Sequence, residues 1–321
     1  MDPPHTAAVE PAKDAWQTAR RRALIALVPC GMGIFVAVQY FLFMTSPVSS
    51  APPFADALTY QAAGERLNAG HLLYALGPGD RPVLTLPGIS SSPLLSPPPI
   101  AVLWRLIVAV PFGFQLWVVA CWVAVLTATF YLVFKTGLRG AVIATVLSPA
   151  IGEQLAACNV AAFFPGLLVL AWRWRDRPGA GAIIGLMASI KLTPGTLGGW
   201  LVATRRWRGV ATAAGTVAVI GVFSVLGSSV GAFADYVEVA RTAGPSTSSL
   251  SGLTGVGWVS PAVLVVGTVA IMGLGRWPRI AFIVGVVLSV VGTPALYLSS
   301  WVPLIATLAP FADKATQRER R

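Results

Sequence analysis

From Ala23 to Met44 the chain runs for twenty-two residues without a single charged side chain. That length matches the ~20 residues a helix needs to cross a bilayer. It exceeds the ~7–15-residue apolar core of a cleaved signal peptide, so it predicts a retained first span. Comparable apolar runs recur to the C-terminus. Only 11% of the 321 residues are charged, against 55% hydrophobic, where a soluble domain carries about 25% charged. The fold class expected is an all-α polytopic membrane protein.

The net charge of +11 does not point to nucleic acid. Basic residues fall in short clusters between the apolar runs: "RRR" at 20–22, "RWRDR" at 173–177, "RRWR" at 205–208, "RWPR" at 276–279 and "RERR" at the end. Lys and Arg mark cytoplasmic loops in this way. Residues 1–22 therefore read as a disordered cytoplasmic tail, 23–311 as one integral-membrane domain and 312–321 as a basic cytoplasmic tail. Cys30, Cys121 and Cys158 all lie in or beside apolar runs. Their odd number and lack of His neighbours favour small buried hydrophobes over disulfides or a zinc site.

With Arg20–Arg22 inside, residues 45–97 emerge on the outer face. "FADALTYQAAGERLNAGHLLY" at 54–74 predicts a helix over about 54–69 closed by Gly70. The six prolines between 82 and 99 exclude continuous helix beyond it. Further spans are expected at 99–112, 114–134, 140–151 with 156–172, 180–190 with 194–204, 209–228, 256–275, 280–293 and 295–311, with a second outer loop at about 229–255. Basic clusters flank both ends of 179–204, so two short helices turning at "KLTPG" suit that segment better than one straight helix. Two spans between 98 and 134 would leave Lys135 and Arg139 outside. Either 99–112, which carries Arg105, is re-entrant, or that weak cluster breaks the pattern.

Four places carry unusual polarity. Asp56 shares a helical stripe with Tyr60, Ala63 and Leu67, whereas Gln61, Glu65 and Asn68 lie opposite. It reads either as an acid capping the helix or complementing its dipole, or as a general base aimed into a cavity. Lys191 stands alone in an apolar stretch, where burial in lipid costs at least ~2.5 kcal/mol. It either snorkels or, at the turn of a hairpin, meets a phosphate as a point charge. Arg81 and His71 are either solvated loop residues or contacts to an anionic headgroup. Glu153, Gln154 and Asn159 form a polar patch in an apolar stretch, facing the bundle interior or bonding between helices. No phosphate-binding loop, zinc motif or Ser/His/Asp triad is present, so neither a metal, a cofactor nor a soluble-nucleotide site is expected.

Taken in order, these residues resemble glycosyltransferase family 87, the polyprenyl-phosphate-sugar-dependent enzymes of C-type membrane fold. The matching positions are Asp56, Tyr60, Ala62, Ala63, Gly70 and "LLY" at 72–74, then "SPPPIAVLWRLIVAVP" at 96–111. Pro149, Gly152, Gln154 and Asn159 follow, and last "AGAIIGLMASIKLTPGTLGGWLVATRRW" at 180–207. Ser96 stands where the family often has an aromatic residue, the Gln154 to Asn159 gap is irregular, and the short chain predicts missing C-terminal spans.

The resemblance implies a C-type helical bundle with short re-entrant or broken helices and an outer-face amphipathic helix. It implies a multi-pass plasma-membrane glycosyltransferase moving mannose or arabinofuranose from a polyprenyl-phosphate donor to an envelope glycolipid or polysaccharide. Asp56 would be the catalytic base; Lys191, with Arg81 or His71, would bind the donor phosphate; Tyr60, Tyr74, Gln154 and Asn159 would line the substrate cavity. The alternatives are a transporter or flippase of a lipid-linked sugar, and a non-catalytic relative acting in an envelope assembly.

Overall fold

The computed structural model describes residues 53–74, 94–242 and 244–318, together with Thr18, Leu27, Gly31, Ile34 and Val38. Arg81, Cys30 and most of the expected first span lie outside the described residues. Among the described residues regular structure is entirely helical and no strand occurs, so the all-α class holds.

Helix α1 (Ala55–Asn68) is followed by Gly70 at φ +79°, a left-handed conformation that glycine adopts without steric cost. Its stripe of Tyr60, Ala63 and Leu67 is buried while Glu65 and Asn68 are exposed. It lies on α2 (Pro98–Ile107), which Pro98 opens at its first turn. The approach is close enough to require Gly64, where a Cβ would fall 2.7 Å from the carbonyl carbon of Trp104. Arg105 and Asn68 exchange hydrogen bonds of 2.9 and 3.1 Å, and Arg105 also donates to the Gly227 carbonyl at 2.6 Å.

Ten residues of α2 rise only about 15 Å, half the ~30 Å hydrocarbon core. The segment expected as a span at 99–112 is thus a ten-residue helix, too short to cross as one straight element. Of the two alternatives for the Lys135 and Arg139 cluster, that length favours the re-entrant one. Helix α3 (Gly113–Thr136), between residue 98 and that cluster, is one of two helices among the described residues long and apolar enough to cross a membrane unbroken.

Most of the remaining helices are interrupted. Helices α4 (Leu138–Val146) and α5 (Ser148–Ala157) meet at 59° where Pro149 enters at the start of α5. A 3-10 turn (Val160–Phe163) leads into α6 (Phe164–Arg173). Helix α7 (Gly179–Ile190) stops at Lys191, and after a 3-10 turn (Thr193–Thr196) α8 (Leu197–Ala203) runs back. The ends prove the reversal, because Asp176 before α7 pairs with Arg206 after α8 at 3.1 Å. The expected hairpin turning at "KLTPG" is observed.

The second long helix, α9 (Trp207–Gly227), packs backbone to backbone on α7. A Cβ on Gly181 would lie 1.9 Å from the Gly209 carbonyl oxygen, and one on Gly185 2.5 Å from that of Ala213. Small residues four apart on both helices allow this approach, as in membrane helix pairs generally. The chain continues through α10 (Gly231–Thr242), α11 (Leu250–Thr254), α12 (Val259–Met272), α13 (Pro278–Val291), a 3-10 helix (Leu298–Leu308) and α14 (Ala309–Arg318). The expected tail from 312 thus starts as helix, and Asp313 within it accepts from Trp172 at 3.0 Å and Arg175 at 2.9 Å.

The turns sort into two poles. At the basic pole, Arg175 and Arg206 stack on Trp172 and Trp200, whose rings pack with Phe282. At the opposite pole lie α1, α2 and the breaks at Asn159, Lys191 and Tyr297, beside a second aromatic cluster of Tyr60, Trp104, Trp117 and Phe163.

Candidate functional site

The break after α5 is where the second pole is built. A helix end leaves carbonyls without partners, and here other elements supply the donors. The Trp122 and Trp117 indoles of α3 donate to the carbonyls of Leu155 (2.8 Å) and Cys158 (2.9 Å). The Phe54 amide, at the head of α1, donates to Ala156 at 2.6 Å. Cys158 takes up the left-handed conformation at φ 51°, and the chain turns sharply to present Asn159.

Asn159 is fixed on three sides. Its Oδ1 accepts from the Ala161 amide at 2.8 Å and so caps the 3-10 turn. Its carbonyl accepts from Gln154 Nε2 at 2.8 Å. Its Nδ2 donates to Asp56 Oδ2 at 2.7 Å. Two segments 103 residues apart in sequence are joined by that bond.

Asp56 does not cap its own helix. Phe54 occupies that position without a side-chain bond, and Asp56 lies in the first turn. Its half-buried carboxyl is pushed above the ordinary aspartate range by burial, which the Asn159 hydrogen bond and the charge of Lys191 partly offset. Tyr60, one turn on, is buried with its hydroxyl raised by burial and by the neighbouring Asp56. That hydroxyl lies near Ser96 and the Val160 backbone but completes no hydrogen bond.

Lys191 reaches the same place from the hairpin tip. It leaves the helix in extended conformation at φ −138°, since Pro194 closes off helical continuation. Its half-buried ammonium sits within electrostatic reach of Asp56 but forms no direct ion pair among the described residues.

Three residues not singled out for the site from sequence also gather here. Glu153 lies beside the Ser299 amide and hydroxyl and within electrostatic reach of Asp56, and so does Tyr297. Glu153 had a signal, an acid in an apolar run; Tyr297 and Ser299 had none, because only the fold carries them to this pole.

Other expected positions behave differently. Gln154 is fully buried, so it braces Asn159 rather than lining an open cavity. Tyr74 is buried against Tyr236 and donates to the Ser96 carbonyl at 2.5 Å, a packing arrangement. His71 is exposed beyond the far end of α1, fifteen residues from Asp56, and is not brought to the carboxylate. Cys121 and Cys158 are buried free thiols, as expected. Among the described residues no three His, Cys, Asp or Glu side chains gather into a metal-sized cluster.

Broken apolar helices around a half-buried carboxylate–amide pair and a nearby ammonium define an all-α integral-membrane protein with a polar site at one pole. The profile of glycosyltransferase family 87 matches residues 95–308, two thirds of the chain. The chain belongs to that family and is a membrane glycosyltransferase. The matched segment includes Gln154, Asn159 and Lys191, and begins after Asp56, Tyr60, His71 and Tyr74. No curated protein and no solved structure matches the chain.

Proposed function

We propose that this glycosyltransferase moves a sugar, mannose or arabinofuranose, from a polyprenyl-phosphate donor to an envelope glycolipid or polysaccharide on the outer face of the plasma membrane. The observation that carries this reading is the Asn159–Asp56 hydrogen bond of 2.7 Å, which holds a carboxylate oxygen in place within reach of the Lys191 charge. The basic clusters, which in membrane proteins mark the cytoplasmic side, support an outward-facing Asp56 pole.

In this mechanism Asp56 takes the proton of an acceptor hydroxyl. The acceptor oxygen attacks the anomeric carbon, and the bond from that carbon to the phosphate oxygen breaks. The electron pair leaves with polyprenyl phosphate, and Asp56 later returns its proton to solvent. Lys191 opposes the negative charge that grows on the departing phosphate. A half-buried lysine suits this work as a compact point charge on a flexible stem. Asn159 keeps the carboxylate turned toward the acceptor and favours its ionised form. His71 plays no part in this scheme, because it sits at the other end of α1.

The broken hairpin with Lys191 at its tip also suits a transporter or flippase of a lipid-linked sugar, since such proteins place polar groups at helix breaks. Reconstituted proteoliposomes supplied with labelled polyprenyl-phosphate sugars decide the matter. A new glycosidic bond, formed with polyprenyl-phosphate sugar and not with nucleotide sugar, is the expected result. Flux of the intact donor without bond formation would favour the transporter. Neither flux nor transfer across mannosyl and arabinofuranosyl donors would favour a non-catalytic relative.

A further inference from the structure

Three helix junctions at the basic pole share one plan. Arg173 and Arg177 flank Trp174 between α6 and α7, Arg205 and Arg208 flank Trp207 between α8 and α9, and Arg276 and Arg279 flank Trp277 between α12 and α13. All six arginines are exposed, and the three rings are 41%, 61% and 55% exposed. The pole uses its other arginines differently. Arg175 and Arg206 stack on Trp172 and Trp200 and pair with Asp313 and Asp176. The six outer arginines form no ion pair among the described residues, and the two nearby carboxylates are already engaged by the inner pair.

Cations gathered at one pole repel one another, and the fold does not let these junctions drift apart. The Asp176–Arg206 ion pair of 3.1 Å joins the first to the second. The Trp200 indole donates to the Pro278 carbonyl at 3.1 Å and joins the second to the third. Gly275 lies so close to α8 that a Cβ there would fall 2.4 Å from the Ala203 carbonyl oxygen. Arg205 is left exposed at φ 55°, a conformation uncommon for a residue other than glycine, while Arg206 beside it turns in over Trp200.

We infer that this pole is a docking surface for the headgroups of anionic phospholipids. Guanidinium forks match phosphate oxygens, and six of them here lack a countercharge from the protein. Tryptophan rings, apolar in body with one N–H donor, settle at the boundary between headgroups and hydrocarbon. The surface also runs on into apolar helix. Ile280, Val284 and Val287, spaced i, i+4 and i+7, continue from Arg279 as an exposed apolar stripe. Charge alone would serve to orient the chain during insertion; it needs neither exposed rings nor junctions bonded to one another. An acidic protein would match the arginines but not the apolar stripe that follows them. The inference is independent of the chemistry at the Asp56 pole.

The test titrates phosphatidylglycerol or phosphatidylcholine of the same acyl chains onto the full-length protein in detergent, with polyglutamate in parallel as a lipid-free polyanion. Native mass spectrometry reads what is bound. Tighter binding of phosphatidylglycerol is expected, and added salt weakens it. Arg208→Gln weakens it about fivefold, and Arg173→Gln, Arg208→Gln and Arg279→Gln combined about a hundredfold. Arg241→Gln removes an equal charge from α10, beyond the far end of α9, and is expected to change nothing. All four positions are exposed, and an unchanged melting temperature shows that each variant remains folded. Equal binding of the two lipids, indifference to the substitutions at the pole, or equal losses in Arg208→Gln and Arg241→Gln overturns the assignment. Capture of polyglutamate in preference to phosphatidylglycerol overturns it too, in favour of an acidic protein.

Discussion

Asp56 bears a cost that its neighbours only partly relieve. Burial raises its pKa, and the Asn159 hydrogen bond and the Lys191 charge lower it again. A general base must be ionised to act, so the acid limb of the kcat/KM profile is expected above the ordinary aspartate pKa of 3.8. Both neighbours favour the ionised form. Removing either, in Asn159→Ala or Lys191→Met, therefore moves the limb to higher pH, and activity at a fixed pH on that limb falls. A pH–rate series on the three proteins checks this; a limb that stays put or moves to lower pH contradicts it. The buried stripe of α1 was legible in the sequence from its spacing, and so was the oddity of an acid on it. Asn159 as its partner was not, since no local pattern announces a contact across 103 residues.

At the scale of elements, the breaks carry the chemistry. Lys191 and Asn159 both sit where a helix stops, and each break has a backbone cause: Pro194 after the first, Cys158 in left-handed conformation at the second. Basic clusters at both ends made the α7–α8 hairpin readable, because charge placement across a bilayer restricts direction. The half-length α2 was harder. Its apolar composition resembles a span, and only its ten-residue length and the Arg105–Asn68 bonds reveal that it lies against α1. The contact of α7 with α9 depends on missing side chains. Gly181→Val would drive a methyl-bearing carbon into the Gly209 carbonyl, and the helices must separate. Overpacking of this kind costs about 1–3 kcal/mol or more, so a lowered melting temperature and reduced transfer are expected. Gly198→Ala, with open space around the added atom, is expected to leave both nearly unchanged. Equal behaviour of the two variants in a thermal-shift assay would contradict the packing argument.

Across the whole molecule, polarity is separated end from end. Asp176 with Arg206 and Arg175 with Asp313 tie the basic pole together. At the other pole a carboxylate, a second acid at Glu153 and the Lys191 ammonium share one neighbourhood. The segregation of basic clusters was evident from sequence order alone. The convergence of α1, the α5 break, the hairpin tip and Tyr297 was not, because it depends on how short and bent the helices between them are. The account comes down to whether that convergence performs group transfer. Sugar transfer from a polyprenyl-phosphate donor, measured side by side for the unaltered protein and Asp56→Asn in the same proteoliposomes, tests it most directly. A rate lower by about 10²–10⁴-fold, with insertion and melting temperature at least as good as those of the unaltered protein, is the result predicted. Turnover within a few fold of the unaltered protein would contradict it.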